Sequence, residues 1–505
     1  MSLLSVILAT AWLGAGGSAA AAEPGDPGPD EGALEVSSPP PDRSALPPVP
    51  PPAPRPLPEI AVIALDSGVE AWVLPVAGLR RVRVAVRYLD GTGLLCPERP
   101  ARCAALGDQL ADAVIGASAD ELAAELDALD ADIASWVDVD SSGARLDVPL
   151  QHLDEGLERL RDVLLRPELA RRELRRWRWD QRLHLKVELP ADAWALTATA
   201  GHYQWFPEAH PYGQRPGARS WASVRTRHLR AAQARRLGHS PMVILVAGDV
   251  DPEALRPHLA LLAGELGVAG RPAPPPSAPA PLGAALLGIA LPGRAQATLR
   301  LSLPAPDADA ADRAAAELLA RVVVDGFQSR INQQLREERG WTYGSAGGWD
   351  GRPGGPRLWL QVEVPVEQAA AAMADIEAVL RAAATDAPPT PSEVETAKAS
   401  ALSDHNRRLS DPAGALGLSL AAYRVGGGAA LMARSHALAA AEPAEVAALA
   451  ARMLGADAPR RWVVTGDRAA LEPQLQALGL PLAWRSPAEV AQGEVPVALE
   501  DYPAP

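Results

Sequence analysis

Apolar and polar positions alternate with the period of a strand from Ile60 onward. IAVIALDSGVEAWVLPV and RRVRVAVRYLDG predict a strand, a turn at Ser67-Gly68 and two further strands. The period then lengthens to that of a helix in ARCAALGDQLADAV. A second helix follows, in which Ser118 and Glu121 form a capping box and Leu122, Leu126 and Leu129 share a face. IASWVDVD, Ser141-Ser142-Gly143 and ARLDVPL predict a hairpin, and residues 153–185 a long helical region broken at Pro167. HYQWFPEAHPYGQRPG predicts a loop from its proline and glycine, and 222–237 a helix. PMVILVAGDVDPEAL then predicts a buried strand, a turn at Gly248-Asp249 and a helix starting after Asp251.

The same order returns after a Pro/Ala-rich stretch. LLGIALPGRAQATLRLSLP is a strand pair, DADAADRAAAELLARVVVDGF a helix, and WTYGSAGGWDGRPGGPRLWLQVEVP a second hairpin. EQAAAAMADIEAVLRAA and SEVETAKASALSDH match the long helical region. RRWVVTGDRAALEPQLQAL repeats VILVAGDVDPEALRPHLALL, with Gly466-Asp467 in the place of Gly248-Asp249. The repeat predicts an α+β fold of two homologous domains, 59–267 and 283–485, each an antiparallel-rich sheet with helices on one face. A linker, 268–282, joins them, and 486–505 reads as a tail. Residues 1–22 read as a secretory signal peptide cleaved near Ala22, although Lys and Arg are absent from its start. Residues 23–58 are too proline-rich for a helix or ladder and read as an extended tether.

Composition changes this picture in two places. A net charge of −14 argues against a general nucleic-acid or anionic-membrane surface. RRELRRWRW at 171–179 is the local exception, either a solvated helix face or a docking surface for an acidic partner. The two cysteines, Cys96 and Cys103, suggest a disulfide in an exported chain, the alternative being two free thiols. An exported location, periplasmic or extracellular, follows from the leader, and no other stretch qualifies as membrane-spanning.

The candidate chemistry lies in GFQSRINQQLREERGWTYG, residues 326–344. Ile331, Leu335 and the stem of Arg339 recur with a helical spacing, Gly340 stops the helix and WTYGSAG opens a strand. Arg336 and Tyr343 flank this junction. A guanidinium fork and a phenol are both donors suited to peptide carbonyls or to an oxyanion. The alternative is structural: Arg336 paired with Glu337, Glu338 or a backbone carbonyl, and Tyr343 a strand residue with a buried ring.

This stretch resembles the C-terminal-half signature of the insulinase, pitrilysin and mitochondrial-processing-peptidase family: G-F-x-S-R-L, then L-R-E-x-x-G, then a small residue and Tyr. The resemblance extends over roughly 59–485, through SADELAAELDALDADI, FPEAHPYGQRPG, VAGDVDPEAL and LPGRAQATLRLSLP. It implies two homologous halves enclosing a chamber. It also implies that Arg336 and Tyr343 hold substrate near a zinc ion supplied by another half or subunit.

The family's own zinc motif, H-x-x-E-H, is missing. By family spacing its positions fall on Ala104, Ala105, Leu106, Gly107 and Asp108, and the downstream Glu ligand falls near Gln181 and Arg182. No H-x-x-E-H, H-E-x-x-H or H-x-H occurs anywhere. His202, Glu208 and His210 form the nearest cluster, in a loop that is structural in the family. His184 and Glu188 read as a solvated helical pair. No metal ligand set and no cofactor site is therefore expected. The resemblance implies an exported subunit inactive on its own, binding peptide or a small protein for a zinc-bearing homologous peptidase subunit. The other reading is a catalytically inactive peptide-binding or structural envelope protein.

Overall fold

The computed structural model describes residues 55–502, apart from 97–98, 216, 272–282, 306–309 and 352–354. The expected signal peptide, nearly all of the tether and most of the linker lie outside the described residues. Two six-stranded sheets organise the rest. The first has β1 (Ala61–Ala64), β2 (Glu70–Pro75), β3 (Arg81–Tyr88), β4 (Asp132–Val137), β5 (Ser142–Pro149) and β6 (Met242–Gly248), in the order β1-β2-β6-β3-β5-β4. The second has β7 (Ala285–Ala290), β8 (Gln296–Pro304), β9 (Ser345–Asp350), β10 (Arg357–Pro365), β11 (Arg461–Gly466) and β12 (Leu482–Arg485), in the order β12-β7-β11-β8-β10-β9. Within each, the late strand β6 or β11 inserts parallel to one early strand and antiparallel to the next.

Strand alternation assigns each sheet two apolar faces. On the first sheet, Val82, Val84, Ile244, Val246 and Leu146 face helices of the same half, Leu153–Leu165 and Pro252–Leu266. The opposite face presents Trp72, Leu74, Val243, Leu245 and Ala247. It is covered by a helix from the second half, Pro412–Val425, through Ala415, Leu418 and Ala422, and Ser419 Oγ donates to the Trp72 carbonyl at 3.2 Å. Burying each such leucine contributes about 2 kcal/mol, so the seam is held by apolar area with one polar contact setting its register.

The second sheet receives the counterpart. Its own helices cover the face carrying Leu299, Leu301, Leu358, Leu360 and Val464. The other face takes the first-half helix Ala193–Trp205, whose Leu196 and Ala200 lie in one core with Leu287, Ile289 and Val463. Thr197 and Thr465 share a hydroxyl–hydroxyl bond of 2.6 Å, and Gln361 Nε2 donates to the Trp194 carbonyl at 2.9 Å. Arg300 is buried here, bonded to Gln361 Oε1 at 2.8 Å and lying 4.5 Å over the Trp359 ring. Burial, then the Arg357 charge, pulls its guanidinium down to about 9. Gly201 makes the approach possible, because a Cβ there would collide with the Arg300 side chain. Each half therefore supplies a helix lying just beyond its long helical region, Ala193–Trp205 or Pro412–Val425, to the other half's sheet.

The sequence repeat is physical down to single atoms. Asp249 Oδ2 accepts from the Gly78 amide at 2.9 Å, and Asp467 Oδ2 from the Gly293 amide at 2.7 Å. Gly78 and Gly293 both take positive φ, +84° and +75°, in the turns preceding β3 and β8. Two expectations are corrected. Residues 486–502 are not a tail: they fold back onto the inter-half seam, where the buried Tyr502 hydroxyl accepts from Gln204 Nε2 at 2.9 Å. The first hairpin turns at 138–141 rather than at 141–143, because Asp138 Oδ1 accepts from the Asp140 and Ser141 amides and closes the turn early.

Asp467 also caps the helix Arg468–Gln476 by accepting from the Ala470 amide, whereas Asp249 serves its turn alone among these roles. Asp467→Ala is therefore expected to lower the thermal unfolding midpoint by a few degrees, and by more than Asp249→Ala, in calorimetry of the two variants.

Candidate functional site

Ser329 opens the signature helix by accepting from the Asn332 amide, and Asn332 Nδ2 returns a bond to the Phe327 carbonyl at 2.8 Å. One α-helical turn, Arg330–Asn332, passes into a π-helical turn, Gln333–Glu338, with Ile331 and Leu335 buried beneath. A π-turn adds a residue per turn and re-aims the side chains after it. Gly340 then takes φ +66°, and the amides of Gly340 and Trp341 close back onto the Arg336 and Leu335 carbonyls. The strand expected to follow at once begins only at Ser345, so Tyr343 sits in a turn and not in the strand.

The three arginines of the signature differ in what holds them. Arg330 forks onto both oxygens of Glu393 at 2.6 and 2.7 Å and also donates to the Ala387 and Pro388 carbonyls. Arg339 forks onto Asp375 at 2.7 and 3.1 Å. These two clamp the signature to the neighbouring helices. Among the described residues Arg336 has one carboxylate neighbour, Glu337 at 3.5 Å, and it lies 4.0 Å over the Phe327 ring. The Phe327 ring is itself two-thirds exposed, an apolar shelf that orients the guanidinium without consuming its donors. Tyr343 is 95% exposed. Of the structural alternative, the Arg336–Glu337 pairing is present and the buried Tyr343 ring is not. What remains is a guanidinium stacked on Phe327 and, seven residues on, an exposed phenol.

The zinc-motif positions fall on the helix Ala101–Gln109, whose Ala104, Ala105, Leu106 and Gly107 are buried. Gly107 occupies the place of the family's Glu. The backbone of β4 fills the space above it: a Cβ at Gly107 would overlap the Val137 amide nitrogen, and Ser135 Oγ donates to the Gly107 carbonyl at 2.6 Å. Asp108 accepts from Trp177 Nε1 at 2.6 Å, and burial raises its carboxyl above the usual range. The residues present therefore do not fit a metal: ligands are missing and the helix has closed onto the sheet. Among the described residues no group of three or more His, Cys, Asp or Glu is placed to hold one.

The remaining singled-out residues are structural. His202 Nε2 lies 2.7 Å from the Tyr212 carbonyl, and His210 Nδ1 accepts from the Tyr212 amide at 3.1 Å while stacking on the buried Phe206. His184 and Glu188 pair one helical turn apart, at 3.1 Å. Cys96 and Cys103 are disulfide-bonded, with Cα atoms 6.0 Å apart. Sequence reasoning missed Phe327 as the Arg336 shelf and Glu393 as the Arg330 partner. The first was legible only as one of two phenylalanines in the chain; the second is 63 residues distant and carried no local signal.

Three outcomes follow. Gly107→Ala should destabilise by about 1–3 kcal/mol in chemical denaturation, because the added methyl meets backbone. Restoring the motif as Ala104→His, Gly107→Glu, Asp108→His should lower stability without creating a zinc site in calorimetric titration. The Arg330 fork, first, and the Thr390 cap hold the Glu393 carboxyl at about 2, against an ordinary 4.5. A depressed acid adds stability that is complete above its unfolded value and lost as pH falls through the folded one. Glu393→Gln should therefore lower the unfolding midpoint at pH 7, and the gap should close between pH 4.5 and about 2.

Comparisons with known proteins agree with this geometry. Residues 224–401 match the family described as "Peptidase M16 inactive domain". No curated protein matches the chain. The fold is similar to that of a peptidase M16 inactive domain from Pseudomonas fluorescens, with a TM-score of 0.71 at 19% identity over 81% of this chain and 98% of the other. A protease from Helicobacter pylori gives 0.69 at 14%, covering 81% and 99%. The periplasmic protease PqqL from Escherichia coli gives 0.62 at 13%, covering 82% of this chain but 46% of PqqL. The chain is thus similar to M16, insulinase-type peptidases, by the family match over 224–401 and by its fold, and its sequence lacks H-x-x-E-H.

Proposed function

We propose that the chain is an exported, non-zinc subunit of an insulinase-type metallopeptidase, presenting peptide substrate to a zinc-bearing homologous partner. The observation that carries this reading is the contrast within the signature. Arg330 and Arg339 are committed to carboxylate forks, while Arg336 lies on its aromatic shelf and Tyr343, seven residues on, is exposed. A structural role would have tied the third arginine down as it did the other two. The chain's correspondence to about half of PqqL supports the view that a second, similar unit completes the working assembly. The resemblance implies a chamber between the two halves of one chain; since these halves share packed cores, we place such an enclosure between this chain and its partner.

In that assembly Arg336 donates to a peptide carbonyl, or to the oxyanion forming at it, from a guanidinium that cannot lose its charge. Tyr343 supplies a second, neutral donor. A zinc ion held by the partner would supply the Lewis-acid chemistry that activates water. This chain contributes binding and charge stabilisation and no proton transfer. Removing one such donor typically lowers turnover by about a hundredfold or more. Arg336→Ala with Tyr343→Phe should therefore depress peptide turnover by the copurified pair at least that much, at unchanged zinc content and pairing. Unchanged turnover would remove the role assigned to both residues.

A further inference from the structure

The helix Arg171–Leu183 carries six arginines, and their placement is not uniform. At about 100° per residue, Arg171, Arg175, Arg178 and Arg182 fall on one stripe, beside the core-facing Leu174, Trp177 and Gln181. The helix's two acids lie on the other flank with the remaining cations, Arg172 near Glu173 at 3.7 Å and Arg176 near Asp180 at 3.9 Å. Among the described residues Arg175, Arg178 and Arg182 have no carboxylate partner. A solvated helix face interleaves its charges; this one separates them.

The unpaired stripe lines a cavity of about 350 Å³, formed by Arg175, Arg178, Trp179 and Arg182 on one side and Trp221 and Ala222 on the other. Its polar complement consists of donors. Arg178 Nε is buried with no acceptor, as is the indole N–H of Trp221, a residue only 7% exposed. Burial, then the Arg225 and Arg175 charges, pulls the Arg178 guanidinium below its usual range. Trp179 stands 63% exposed at the rim, an apolar plate beside the cations. On another face the same helix bonds Asp108 through Trp177, and so packs on the helix where the zinc-motif positions fall.

We propose that this cavity binds a short acidic peptide segment, its carboxylates taken by Arg175, Arg178 and Arg182 and an apolar side chain laid on Trp179. Guanidinium forks match carboxylates in pairs, and the volume accommodates a few residues. The chain's net charge of −14 disfavours long polyanions such as nucleic acid or an anionic membrane, whose field reaches well beyond the cavity. The site is independent of the Arg336–Tyr343 pair and supplies a second anchor, with its own selectivity for acidic sequences.

The test is fluorescence anisotropy of the full chain with a fluorescein-labelled hexapeptide of alternating Glu and Leu, against its Gln/Leu counterpart. The acidic peptide should bind at least tenfold tighter, and the preference should shrink as salt is raised from 50 to 500 mM, on the order of the screening lengths involved. Arg175→Gln with Arg182→Gln, both exposed positions, should weaken binding at least tenfold, whereas Arg172→Gln with Arg176→Gln on the opposite flank should not. Arg336→Ala with Tyr343→Phe should leave it unchanged, which separates this site from the proposed peptidase role. Equal binding of the two peptides would overturn the proposal, as would indifference to the Arg175/Arg182 pair. So would binding only to phosphatidylserine-containing vesicles.

Discussion

The reciprocal exchange of one helix between the two halves is the constraint on which the rest of the molecule depends. Each sheet has two apolar faces, and each half has helices enough to cover one of them. An uncovered face of that size is not stable in water. The first half closes the second sheet with Ala193–Trp205, and the second half closes the first with Pro412–Val425. Neither half can be complete alone. The seam also receives the C-terminal segment, through Tyr502 and Gln204, and the aromatic loop around Phe206, whose ring lies 5.6 Å below the Arg357 guanidinium.

That rigid frame sets what the signature can do. Its helix is clamped at both ends, by Arg330 to Glu393 and by Arg339 to Asp375, so the residues between the clamps are held in one orientation. The π-turn then aims Arg336 over Phe327 and leaves the Gly340 turn to carry Tyr343 outward. A preorganised donor is worth more to a substrate than a mobile one, because its ordering has already been met by folding. The loss of the zinc motif is built in just as firmly. Gly107 and the β4 backbone share a space that a catalytic Glu would need, so the change reaches beyond side-chain identity to the packing of a helix on a sheet.

Much of this was legible in the sequence because it rests on short-range patterns. The strand alternation around Val82–Val86, the Ser118–Glu121 capping box and the repeated Gly-Asp turns at 248–249 and 466–467 each depend on residues a few positions apart, and each stands where the pattern put it. The α+β class and the duplication followed from them. What was hidden depends on distance in the chain. Nothing local marks Pro412–Val425 as the cover of the first sheet, since an apolar helix looks alike whichever sheet it buries. Residues 486–502 read as a tail because their partners, Gln204 and Arg461, come from elsewhere. Tyr343 read as a strand residue because a π-turn, which shifts the register before it, has no sequence signature. The arginine-rich helix was ambiguous for the same reason: only the fold shows which of its cations face acids and which face a cavity.

The assembly in which the chain works is the point on which the functional reading turns, and native mass spectrometry with metal analysis of the protein isolated from its own host tests it most directly. A one-to-one complex with a homologue carrying H-x-x-E-H and one zinc per complex is the predicted result. A zinc-free monomer or homodimer would contradict it, and would make the Arg336–Tyr343 pair a peptide-binding or structural feature with no catalytic partner to serve.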